Sequence, residues 1–184
     1  GSDKWKESDK VTMREFDQLI EKHKEIPIVK LHTGQRFFVR NLEFQVLATH
    51  EDIYPGSLSC YNDCSTILLM TVDGCRTLFL GDSNYTESTI LVSRYGSYLK
   101  SDIIQVAHHG YNAANVGIYF CADAKVSLYA TTQKKYEENI STPSNKVVKE
   151  LSKEIYIAGN GTTALKLPYT PGSAVVFPKE IIDL

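Results

Sequence analysis

Residues 99–110 read Leu99-Lys100-Ser101-Asp102-Ile103-Ile104-Gln105-Val106-Ala107-His108-His109-Gly110, a short apolar run that stops abruptly in two imidazoles and a glycine. Earlier in the chain the same thing happens with a carboxylate: Thr77-Leu78-Phe79-Leu80 runs straight into Gly81-Asp82. Short apolar runs without alternation are the pattern of strands buried on both faces, and such strands belong to sheets covered by helices. Polar residues just past the carboxyl ends of those strands sit where open α/β sheets keep their sites, because loops there present side chains to a crevice. The two stretches therefore predict an α/β chain with Asp82, His108 and His109 gathered at one end of a sheet.

Working outward, Ile67-Leu68-Leu69-Met70 and Thr77 to Leu80 form a hairpin across the Asp73-Gly74 turn. Upstream, Phe37 to Arg40 follow a Gly34 turn, and Leu42, Phe44, Val46 and Ala48 alternate with Glu43 and Gln45, which predicts strands with one wet face. Val11 to Lys24 predicts an amphipathic helix, with Thr12 as N-cap, Glu15 completing a capping box, and Phe16, Leu19, Ile20 and His23 on one side. Downstream, Ser83 to Arg94 and Ala113 to Phe120 read as helices and Val126 to Ala130 as a strand. Thr142 and Pro143 open a helix that runs to Leu151. Asn160-Gly161 predicts a hairpin from Tyr156 to Leu167. With no repeat, low-complexity stretch or linker in between, residues 11–184 are read as a single domain behind a polar tag or disordered leader at 1–10.

Composition narrows the function. With 184 residues, 42% of them hydrophobic and 23% charged, disorder, collagen and coiled coil are excluded. A chain of this length can bury roughly 70% of its extended surface without staples. Twenty Lys and Arg against 22 Asp and Glu give a net charge of -2. That balance predicts no strong nucleic-acid patch. Apolar runs such as Thr66 to Val72 fall far short of the ~20 residues that cross a bilayer. No membrane segment is expected in this chain, no signal peptide is visible, and a cytoplasmic location is the expectation. Cys60, Cys64, Cys75 and Cys121 read as reduced thiols in a chain that needs no disulfide framework.

A carboxylate and imidazoles suit Zn, with Mn or Fe as alternatives, and an aspartate can bridge two cations because each of its oxygens keeps a lone pair for one. The structural alternative is that Asp82 caps the helix opening at Ser83 and that His108 and His109 satisfy loop hydrogen bonds. A thiolate zinc site at Cys60, Cys64 and Cys75 lacks the paired spacing such sites use. His50-Glu51-Asp52 offers three ligand types in a row but reads equally well as a polar loop. Asn84-Tyr85-Thr86, Asn139-Ile140-Ser141 and Asn160-Gly161-Thr162 fit the glycosylation pattern, which carries weight only in a secretory context. No nucleophile elbow, phosphate-binding loop or dinucleotide fingerprint is present.

The succession Asn62-Asp63-Cys64-Ser65, then Leu78 to Asp82, then Leu99 to Gly110 resembles the metallo-β-lactamase fold hydrolases, nearest in look to the hydrolase domain of ComEC-type competence proteins. The resemblance runs from about Ile26 to Leu167, with Thr142-Pro143 where relatives often carry His-Pro. It implies the C-terminal half of a four-layer αββα sandwich, a mixed sheet with flanking helices. It also implies that Asp82 bridges two metals and that His108 or His109 is a ligand, with Asp63 as a further one and His109, beside the small Gly110, slightly preferred. Asp82 and His109 are then the catalytic pair, two zinc ions the cofactor of the complete site, and a phosphoester or other ester the substrate.

One departure is large. The H-x-H-x-D-H loop that supplies most ligands in that family is absent, the only histidines being His23, His32, His50, His108 and His109. The chain therefore resembles a truncated hydrolase with a weak or empty site, and the rival reading is an inactive scaffold or association module on the same fold. Half of a sheet sandwich leaves an apolar face bare. At ~25 cal/mol per Å² such a face is worth many kcal/mol on association, so a homodimer, or pairing with a missing N-terminal half, is expected.

Overall fold

The computed structural model describes residues 7–54, 56, 58 and 61–178. Its centre is one seven-stranded sheet whose strands lie side by side in chain order. The strands are β1 (Arg36–Val39), β2 (Leu42–Ala48), β3 (Ile67–Val72), β4 (Cys75–Phe79), β5 (Ile103–Gln105), β6 (Val126–Tyr129) and β7 (Glu154–Ile157). β1 to β4 form an antiparallel meander, and β4 to β7 are parallel. The β3–β4 hairpin turns where expected, with Asp73 at φ 47° and Gly74 at φ 81° and Val72 facing Cys75. Two consecutive positive φ values are what a two-residue turn needs to match the twist of its strands.

Parallel strands need crossovers, and here these are helices. α2 (Tyr85–Tyr95) joins β4 to β5, α3 (Gly117–Ala122) joins β5 to β6, and α4 (Gln133–Asn139) with α5 (Pro143–Leu151) joins β6 to β7. Leu91, Ile118, Tyr119 and Val148 from these helices pack on Leu47, Ile67, Leu69, Leu78, Ile104, Tyr129 and Ile157 of the sheet. The apolar runs predict an α/β chain, and the mixed sheet with flanking helices is the architecture that the resemblance implies. The opposite face carries Val72, Cys75, Ile103 and Val126, packed with Leu128, Tyr156 and the tail residues Leu165, Leu167 and Tyr169. Phe44, Leu68 and Phe79 are only half-buried, while Phe38 is 68% exposed.

Three local expectations are corrected. α1 (Glu7–Lys22) starts well before Thr12, whose hydroxyl donates to the Ser8 carbonyl inside the helix rather than capping it. Residues 7–10 of the expected leader are thus helical, and residues 1–6 lie outside the described residues. No residue of α1 is buried. The Asn160-Gly161 turn does not make a hairpin with β7. The amide of Gly159 donates to Thr131, a Cβ on Gly159 would lie 2.6 Å from the Thr132 Cα, and the chain leaves the main sheet. β8 (Gly161–Ala164) then pairs with β9 (Val175–Pro178) in a separate two-stranded sheet. A local turn signal yields here to a backbone contact made from α4's leading loop. Finally, α2 is capped by the Asn84 side chain, which accepts from the amides of Thr86 and Glu87, so Asp82 is not its cap.

Candidate functional site

The two strand ends singled out in the sequence are physically joined. Gln105, at the end of β5, accepts from the amides of Leu80 (3.0 Å) and Gly81 (2.7 Å) and donates to the Val106 carbonyl (2.6 Å). The His108 amide donates to the Gly81 carbonyl at 3.0 Å. Asp82 is fixed by its own amide, which donates to the Ser65 hydroxyl at 3.1 Å. Gly81, at φ 55°, permits that approach, since a Cβ there would lie 3.3 Å from Ser65 Oγ. The segment Asn62 to Ser65 thus contributes to the site through Ser65.

His108 and His109 do not sit on extended backbone, where successive side chains would face opposite ways. Both lie in the left-handed region, at φ 49°, ψ 49° and φ 58°, ψ 13°, followed by Gly110 at φ 85°. For residues with a Cβ this costs on the order of 1–2 kcal/mol each, so the surrounding structure must impose it. The result separates the two rings. His109 Nε2 lies 3.5 Å from Asp82 Oδ1, and its Nδ1 donates to the Ala130 carbonyl at 2.7 Å. That second contact fixes the ring through Nδ1 and leaves Nε2 facing Asp82, the arrangement by which outer partners orient a ligand histidine. His108 instead turns away: its Nε2 accepts from the Asn62 amide at 3.1 Å, its ring lies edge-on to Tyr111, and its Nδ1 is buried without a partner among the described residues.

Asp63 also separates from the group. It is 2% exposed, and the Asn84 amide donates to it. Behind it stands Glu87, which the sequence offered only as a helix residue. Glu87 is 1% exposed, and among the described residues neither carboxyl oxygen meets a hydrogen-bond donor. Burial, then the charges of Asp63 and Asp52, push its pKa up to about 8, so near neutral pH the buried group is an uncharged acid. The only sequence signal for it is its place three residues after the Asn84 cap.

Of the remaining candidates, Glu51 and Asp52 are accounted for by ordinary contacts. Glu51 pairs with His32 (2.9 Å). Asp52 accepts from the Thr49 amide (2.9 Å), from the Thr33 hydroxyl and from Arg94 (2.6 Å). Burial pushes the Asp52 carboxyl up, but these donors outweigh it and hold the carboxyl below its usual range. Cys75 and Cys121 are free thiols, Cys75 within the core of the second sheet face, Cys64 is half-buried, and Cys60 lies outside the described residues. Among the described residues no three His, Cys, Asp or Glu side chains converge as a metal site would require. Asp82 and His109 make one corner of such a site. Two donors are fewer than the three a catalytic zinc usually keeps, so the described residues do not by themselves fit the ion, and no hydrolytic step is assigned to them.

Beside the Ala130 carbonyl opens a cleft of about 490 Å³, lined among others by Gln105, Leu128, Tyr156, Thr163 and Leu165. No helix of the described residues is long and apolar enough to cross a membrane.

No protein-family model matches the chain, and no characterised protein matches it in sequence. Solved structures do. CmlA, a diiron β-hydroxylase from Streptomyces venezuelae, is similar over 76% of this chain at 11% identity with a TM-score of 0.50. YhfI, a metallo-β-lactamase fold protein from Bacillus subtilis, is similar over 77% of the chain at 15% identity with a TM-score of 0.42. The chain covers 35% of CmlA and 59% of YhfI. At this identity the likeness to CmlA is one of fold, a mixed α/β sheet with flanking helices.

Proposed function

We propose that this chain is a metallo-β-lactamase-type hydrolase domain that carries one corner of a divalent-metal centre, Asp82 and His109, and that becomes catalytic when another polypeptide segment or a second copy supplies the remaining ligands. The observation behind this reading is the 3.5 Å approach of His109 Nε2 to Asp82 Oδ1 at adjoining strand ends, with the ring pre-set by Ala130. A bare imidazole nitrogen and a carboxylate oxygen repel each other unless a cation or a proton lies between them. With further ligands supplied from elsewhere, a divalent cation held there would contribute the Lewis acidity used in ester and phosphoester hydrolysis. The residues of this chain orient the pair: Gln105 and Ser65 fix the Asp82 loop, and Ala130 fixes the ring. In this reading the resemblance to the ComEC-like branch extends to a C-terminal half without its H-x-H-x-D-H loop. The metal is Zn, with Mn or Fe as alternatives.

Elemental analysis combined with Co(II) titration tests this. The expected result is weak binding of one equivalent, abolished by Asp82→Ala and by His109→Ala, with no turnover of bis(p-nitrophenyl) phosphate by the chain alone. Binding that survives both substitutions sinks the reading. The second reading, a non-catalytic association module, is favoured by the two-donor corner and by the exposed Phe38, Val39 and Val175 to Phe177. It predicts a dimer by light scattering and no metal uptake by the wild type.

A further inference from the structure

Asn145 is a polar residue in the wrong place for packing alone. It sits in α5, 1% exposed, beside the apolar Val148 of the main core. Burying an amide is unfavourable unless its donors and acceptor are met. Here three are met, and the pattern is specific. Nδ2 donates to the carbonyls of Gly110 (2.7 Å) and Asn139 (2.8 Å), and Oδ1 accepts from the Tyr129 hydroxyl at 2.9 Å. Two carbonyls on one side and a hydroxyl on the other leave one sensible orientation of the amide.

Gly110 is the residue after His109, and Tyr129 is the residue before Ala130, the acceptor of the His109 ring. Both neighbours of the ring's anchorage are thus tied to one buried amide. Gly110 must also be glycine for Tyr129 to come so near, because a Cβ there would lie 2.7 Å from the tyrosine ring. We propose that Asn145 is a positioning residue that holds the left-handed His109 turn against the end of β6, so that Nδ1 of the imidazole stays on the Ala130 carbonyl and Nε2 stays facing Asp82. The inference rests on reading His109 as the working imidazole of the site.

The test is long-range 1H–15N NMR of the uniformly labelled full chain at pH 8. Wild-type His109 is expected to show a protonated Nδ1 hydrogen-bonded to the Ala130 carbonyl. In Asn145→Ala the two His109 nitrogens are expected to move towards the averaged values of an imidazole exchanging between tautomers. His32, paired with Glu51, reports an intact fold by staying where it was. A His109 that keeps the single Nδ1–H form in a folded Asn145→Ala overturns the proposal. Should that variant fail to fold, Tyr129→Phe, which removes only the hydroxyl facing Asn145, decides: a growing second tautomer supports the proposal and an unchanged one overturns it. A wild-type His109 already averaged between tautomers overturns instead the reading of the ring as aimed at Asp82.

Discussion

Asp82 and Asp63 flank one hairpin, one following β4 and the other preceding β3, and residue type alone does not tell them apart. Their surroundings do. The Asp82 side chain is 38% exposed and looks across 3.5 Å at a half-exposed imidazole. Asp63 is 2% exposed, receives the Asn84 amide, and has the buried Glu87 behind it. The first carboxylate is open to a ligand from outside, while the second is answered from within the chain. A carboxylate is available for chemistry only where the protein has left part of its coordination unmet and reachable, and burial, not residue type, decides this.

The strongest way to break the contrast is Asn84→Ala. It removes the donor to Asp63 and the cap of α2 together. Leaving a buried carboxylate short of a donor and losing a cap together cost about 2–4 kcal/mol, seen as a lower urea midpoint with unchanged slope. A change within 0.5 kcal/mol, roughly the range of surface substitutions, would show that Asp63 does not depend on Asn84.

Glu87 sharpens the same contrast through pH. Its pKa is raised from 4.5 to about 8 in the folded chain. Between those values the folded protein holds a proton that the unfolded chain has released, so stability is full below about pH 4.5 and falls as pH rises towards 8. The slope from this group approaches about 1.4 kcal/mol per pH unit within that window. In Glu87→Gln that component vanishes, and the fall in denaturation midpoint from pH 5.5 to 7.5 is expected to flatten. An equally steep fall in the variant would place the titrating group elsewhere.

How much of this was legible beforehand depends on the range of the forces involved. The apolar runs at Ile67 to Met70 and Thr77 to Leu80 announced strands because a buried face and a half-buried one, the latter carrying Leu68 and Phe79, write themselves into consecutive apolar residues. The gathering of Asp82 with a histidine followed from strand ends alone. The sequence offered only a slight preference for His109 over His108, because the choice is made by positive φ at His108 and His109 and by Asn145, residues far apart in the chain. The Asn160-Gly161 signal misled for the same reason: Gly159 is held by Thr131, a contact no local pattern encodes. Glu87 was invisible because its character comes from what lies around it.

Asp82→Asn is the smallest expected effect and the cleanest separation of the two carboxylates. Its backbone amide, which donates to Ser65, is untouched, and the side chain is partly in water with His109, among the described residues, across from it. Exposed pairs of this kind contribute about 0–1 kcal/mol, so the thermal midpoint should stay within roughly 2–4 °C of the wild type for a domain of this size. Co(II) uptake, in contrast, should disappear, because the amide that replaces the carboxylate keeps the shape but loses the charge that a divalent ion needs beside a single imidazole. Unfolding on this substitution would mean that Asp82 is held by contacts like those of Asp63, and the distinction between an open carboxylate and an answered one would fail at its open end.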